Sequence, residues 1–127
     1  MERKKILLID DDLSQLDLIE ILFENKGFQV YQSISGTNAI NKIKAKEFNP
    51  DAILVDLMMP LMSGAETIRN VREIGFEKPI VAFTAAEEPT LHQEAIDAGA
   101  NLVLTKPYKP NLLVAEVENL INKHLAN

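Results

Sequence analysis

Cysteine is missing from the chain altogether, which excludes disulfides and thiolate metal sites and agrees with a reducing cytoplasm. Long apolar runs are missing too, and none approaches the roughly 20 residues of a membrane span. The opening Met-Glu-Arg-Lys-Lys leads into an apolar stretch of four residues that ends in acids, so no secretory signal is expected there. The third absence is positive charge. Thirteen basic against nineteen acidic side chains leave a net charge of −6, so nucleic-acid binding by this domain is not expected, because a phosphate backbone asks for a basic face.

What is present is ordinary globular material, 46% hydrophobic and 25% charged over 127 residues. That is the size of one domain, and one domain over 1–127 is expected. Short apolar runs at 6–9, 28–31, 52–55, 80–83 and 102–104 are each followed by a stretch of helical periodicity. The spacing predicts helices near 13–26, 37–47, 63–74, 87–98 and 110–125. Four runs lack polar alternation, as parallel strands covered on both faces do; the second contains Gln29 and suits an edge. Gly27 and Gly99 stand where helices should stop, and Pro110 stands near a first helical turn. Five strand–helix units in a row predict a doubly wound α/β sheet.

Such sheets bind ligands where their strands end, at the carboxyl edge. The first run ends in Asp10, Asp11 and Asp12, the third in Asp56, the fourth in Thr84, and the fifth in Thr105 and Lys106. Carboxylates gathered from neighbouring strands repel by on the order of 4 kcal/mol per pair at about 4 Å and an effective dielectric near 20. Something positive must offset this, or some acids must take up protons. Lys106 supplies one charge. Oxygen ligands without cysteine or a nearby histidine point to a hard divalent cation, with Mg²⁺ the foremost candidate.

Four segments together, Ile-Leu-Leu-Ile-Asp10-Asp11-Asp12, Val55-Asp56-Leu57-Met58-Met59-Pro60-Leu61-Met62-Ser63-Gly64, Phe83-Thr84-Ala85 and Thr105-Lys106-Pro107, resemble the response regulator receiver family. They occur in the family's order and span essentially the whole chain. The resemblance implies a flavodoxin-like five-stranded parallel sheet in the order 2-1-3-4-5, with helices on both faces. It implies that Asp56 is the phosphoacceptor, that Asp11, Asp56 and the Met58 backbone carbonyl ligate Mg²⁺, and that Asp10 acts mostly through a metal-bound water. Lys106 and Thr84 would meet the phosphoryl oxygens, and bonding by Thr84 would pull its loop inward. The implied donor is a histidine kinase or histidine phosphotransfer protein, and the implied output is a downstream protein target or a covalently linked output domain. On this reading the chain is cytoplasmic, monomeric or weakly dimeric, and no enzyme in the usual sense, since it would catalyse only its own phosphorylation and dephosphorylation. No output domain fits within 127 residues, so either a stand-alone regulator or a piece of a longer protein is expected.

Several residues invite plainer readings. Asp12, three before Gln15, suits a capping box more than a metal. Met58, Met59 and Met62 suit packing more than a soft-metal site. His92 and His124 read as surface residues. On a helical wheel Leu16, Ile19 and Phe23 form a core stripe, while Leu18 and Ile21 fall nearly opposite, as flanks of a neighbouring helix or as a partner surface. Val103 occupies a position that is commonly Tyr or Phe in the family, which places output through the fourth helix and fifth strand in question. Other functions fit less well. A flavin site wants phosphate-cradling backbone after the first strand, where three acids stand here. A phosphatase of the haloacid dehalogenase type wants a second Asp where Met58 stands. An unphosphorylated interaction module would not need the acids, threonine and lysine together.

Overall fold

The computed structural model describes residues 3–47 and 49–126. Five parallel strands, β1 (Lys5–Ile9), β2 (Gln29–Ser33), β3 (Ala52–Val55), β4 (Ile80–Thr84) and β5 (Leu102–Thr105), form one sheet in the order β2-β1-β3-β4-β5. They alternate with α1 (Leu13–Glu24), α2 (Gly36–Lys44), α3 (Gly64–Glu73), α4 (Pro89–Ala98) and α5 (Pro110–Ala126). This is the doubly wound, flavodoxin-like arrangement expected.

Strand parity divides the core in two. Ile6, Leu8, Leu54, Val81 and Phe83 face α1 and α5, where Leu16, Ile19, Phe23, Leu113, Val117 and Ile121 meet them. Leu7, Ile9, Ile53, Val55 and Ala82 face the opposite layer, with Ile68, Val71 and Ala95. Each large aliphatic or aromatic chain so buried contributes about 1.5–3 kcal/mol. Phe23 and Phe28 add an edge-to-face contact at 5.1 Å.

Most helix ends lie within two or three residues of expectation, and the stops have visible causes. Gly27 (φ 87°) and Gly99 (φ 123°) adopt left-handed backbone after α1 and α4, and Pro110 opens α5. The second strand runs to Ser33, two residues past the expected end, because its pairing with β1 continues to Ile9↔Ser33. Its edge position is as expected. β5 forms the other edge and is only partly buried, unlike the double-sided covering its apolar run suggested. Among the described residues, no helix is long and apolar enough to cross a membrane.

Candidate functional site

The register of the central strands assembles the site. Ile9 pairs with Val55, so the residues that follow, Asp10 and Asp56, emerge side by side at the carboxyl edge. The ladder extends past both strand ends: Asp10 N–H donates to Ser33 O at 3.1 Å and Asp56 N–H to Ile9 O at 3.0 Å. On the other side Thr84 pairs with Thr105, and Lys106 N–H donates to Thr84 O at 2.7 Å. Lys106 and Thr84 are thereby held together by backbone alone.

One carboxylate oxygen from each of Asp10, Asp11 and Asp56 lies within 4.8 Å of the other two. Asp10 is buried, Asp56 half-buried and Asp11 exposed. Lys106 Nζ stands 3.5 Å from Asp10 Oδ2 and 3.6 Å from Asp56 Oδ2, and 5.2 Å above the Phe83 ring. Burial pushes the Asp10 carboxyl above its ordinary value, and the charge of Asp56 adds to this; the Asp12 N–H and Lys106 oppose it. Three carboxylates against one ammonium leave the cluster short of positive charge. The donor set is all hard oxygen and the spacing is close, so these residues fit a small dication.

The loop after β3 is shaped by Gly64. A Cβ there would collide with the Asp56 carbonyl and come within 2.6 Å of Leu57 Cα; Gly64 N–H donates to Leu57 O at 3.0 Å. The loop therefore folds back against the residue that carries the central carboxylate. Met58 N–H donates to Asp56 Oδ1 at 3.1 Å and fixes its orientation. Met59 and Met62 are half-buried, as packing residues would be, whereas the Met58 side chain is exposed and departs from the packing role expected of it. Leu61 caps the loop at φ 68°, with Met62 N–H donating to Pro60 O at 2.8 Å. That is a γ-turn of the rare positive-φ form, with a fully exposed leucine at its apex.

Asp12 caps α1, its Oδ1 accepting from Ser14 N–H at 2.9 Å and Gln15 N–H at 3.3 Å. The reciprocal half of the expected box is replaced, because Asp12 N–H donates to Asp10 Oδ1 at 3.0 Å. The cap thus also positions the buried acid. Thr84 is wholly buried, and its Oγ1 accepts the Ala86 N–H at 3.1 Å. Leu18 and Ile21 are 57% and 55% exposed, so neither is buried against a neighbouring helix. Leu18 lines an apolar groove of about 400 Å³ between α1 and the start of α5, with Lys106 and Tyr108 on its wall. Val103 is half-buried against the α2–α4 layer.

His92 departs from its surface reading: it is half-buried, with Nε2 2.7 Å from Ala86 O. His124 is exposed. The sequence carries no signal for the His92 contact, because it joins a helix side chain to a loop carbonyl. The Phe83 contact with Lys106 was equally hidden.

A parallel 2-1-3-4-5 sheet with an acidic cluster and a lysine at its carboxyl edge defines a class, and comparison with known proteins agrees. The family model described as "Response regulator receiver domain" matches residues 6–118, so the chain belongs to that family, whose members work in two-component signalling. Similar solved structures include the Vibrio cholerae chemotaxis protein CheY4, 28% identical over 94% of this chain and 99% of that one, with a TM-score of 0.85. A Clostridium thermocellum response regulator receiver domain protein is 27% identical over 97% and 98%, with a TM-score of 0.88. The Francisella response regulator 1452 receiver domain is 26% identical over 96% and 99%, with a TM-score of 0.86.

Proposed function

We propose that this chain is a phosphoryl-activated switch in which Asp56 accepts the phosphoryl group from a phosphohistidine on a histidine kinase or phosphotransfer protein. A carboxylate oxygen of Asp56 attacks phosphorus, a P–O bond forms, and the donor's P–N bond breaks as the imidazole leaves. The observation that carries this is Asp56 itself, half-buried with 14% of its side chain still open to an incoming donor, oriented by Met58 N–H and 3.6 Å from Lys106. Lys106 stands where it neutralises charge on the transferring group, the chief demand of phosphoryl transfer.

Asp10, Asp11 and Asp56, with the Met58 carbonyl, would hold Mg²⁺, which supplies further neutralisation of the phosphoryl oxygens when bound. Asp10 sits deepest and suits a role through metal-bound water. Thr84, at the end of the neighbouring strand with its oxygen already engaged by Ala86 N–H, keeps a hydroxyl hydrogen to donate to an arriving phosphoryl oxygen. Autodephosphorylation would return Asp56 to its free carboxylate. The proposal treats 1–127 as one receiver domain in the cytoplasm that acts on a protein target or a linked output domain.

The deciding measurement is intact mass after incubation with acetyl phosphate, with and without Mg²⁺, on wild type and Asp56→Asn. A magnesium-dependent adduct confined to wild type is expected; an unchanged mass throughout would overturn the reading. The donor is proposed to dock on the exposed face of α1, beside the groove that reaches Lys106. Leu18→Lys should slow transfer from a cognate kinase at least fivefold while leaving acetyl phosphate labelling unchanged, and equal slowing of both would remove α1 as the docking face.

A further inference from the structure

One residue, Ala86, is gripped from two sides. Its N–H donates to Thr84 Oγ1 at 3.1 Å, and its carbonyl oxygen lies 2.7 Å from His92 Nε2 in the first turn of α4. A carbonyl only accepts, so Nε2 carries the hydrogen and donates. The separation is at the short end for an N–H···O bond. A continuous path of two hydrogen bonds and the backbone of Ala86 thus joins the Thr84 hydroxyl to a side chain of α4.

The helix at the far end of this path is lightly held. α1, α3 and α5 each bury large side chains, such as Phe23, Ile68 and Ile121, whereas α4 buries only Ala95 and Ala98. Its N-cap, Glu88, makes no side-chain capping bond. In the preceding loop Ala85, Glu87 and Glu88 are exposed and only Ala86 is half-buried. A segment with so little buried apolar contact shifts at low cost. Val103, half-buried beside this layer, has no polar group with which to join the path.

We propose that His92 is a positioning residue that couples Thr84 to the first turn of α4. Displacement of Thr84 towards a phosphoryl group on Asp56 carries Ala86 with it, and the bond to His92 transmits that movement to the helix. The proposal rests on the reading of Asp56 as phosphoacceptor. Without the His92 bond, the 85–88 loop would move and α4 would stay.

The test is amide hydrogen exchange on the full chain, with and without Mg²⁺ and beryllofluoride, a stable mimic of an aspartyl phosphate. It compares wild type, His92→Gln, which keeps a side-chain N–H donor, and His92→Leu, which removes it. His92→Ala runs alongside, so that misfolding of one variant does not decide the matter. In wild type, exchange in peptides spanning 89–98 should change at least fivefold. In His92→Leu and His92→Ala that change should fall below twofold while the 85–88 response persists, and His92→Gln should restore most of it. A wild-type-sized response in the donor-less variants, or no restoration by Gln, overturns the coupling. Wild type that takes no phosphoryl group from acetyl phosphate overturns the parent reading and the coupling with it. A wild-type adduct with an unresponsive α4 overturns the coupling alone.

Discussion

The two edges of this sheet are built on opposite principles. At the amino edge, Arg72 donates to the carbonyls of Phe76 (2.9 Å), Lys78 (2.7 Å) and Gly99 (2.8 and 3.1 Å) and to Asn101 Oδ1 (2.9 Å). Asn101 Oδ1 also accepts the Ile80 N–H, and Asp51 takes the Lys5 N–H at 2.8 Å with Lys78 at 3.7 Å. Burial draws the Arg72 guanidinium below its ordinary value, with Glu77 opposing, yet its donors are matched by acceptors. At the carboxyl edge, three acids cluster around one lysine that pairs with two of them, a leucine sits in left-handed backbone, and the Ser33 hydroxyl at the end of β2 is buried without a partner among the described residues. Satisfied polar groups hold a fold together; unsatisfied ones are kept where a ligand or a movement will answer them.

That contrast breaks most visibly at Arg72. Arg72→Met leaves the carbonyls of three loop residues without their donor, and a loss of about 3 kcal/mol is expected in urea unfolding. A loss under about 1 kcal/mol would make the amino edge no tighter than the other.

At the carboxyl edge the expected sign reverses. The Asp10 carboxyl is raised above its ordinary value by burial and by Asp56, so the folded chain binds more protons there than the unfolded chain does. Its contribution to stability is present below the unfolded value and lost as pH rises through the folded one. Metal-free Asp10→Asn should therefore be more stable than wild type at pH 7, by about 1–2 kcal/mol. The gap should close as pH falls through the raised value, and thermal melts in chelator across pH check this. A less stable Asp10→Asn at pH 7 would mean that the acids are already well compensated.

Smaller effects sharpen the same picture. Leu61→Gly should raise stability by roughly 0.5–1 kcal/mol, since glycine accepts the turn's φ without a Cβ penalty. Ser33→Ala should raise it by about 0.5 kcal/mol by removing an orphaned hydroxyl. Denaturation midpoints measure both, and a fall in either would show that the side chain makes a compensating contact.

Much of this was legible in advance because parallel strands are written as apolar runs and helix stops as glycines. The core stripe of Leu16, Ile19 and Phe23, the Asp12 cap and the edge position of the Gln29 strand all follow from local periodicity or local hydrogen bonding. Asp10, Asp11 and Asp56 cluster as expected, because residues that follow paired strands must emerge together. The exposure of Leu18 and Ile21 was not legible, since a wheel separates faces without saying what stands opposite. His92 was misread for a related reason: a histidine on a helix looks the same whether it meets water or a carbonyl.

Chain order and residue type alone determined the doubly wound sheet and which acids lie at strand ends, because both depend on unbroken apolar runs and on the 3.6-residue period that each segment carries within itself. Tertiary structure alone decided that Lys106 reaches two of those acids, that Gly64 closes a loop over Asp56, and that Ala86 bridges Thr84 to His92. Those are meetings between elements up to about a hundred residues apart in the chain, and their distances exist only once the sheet register and the layer packing have been set.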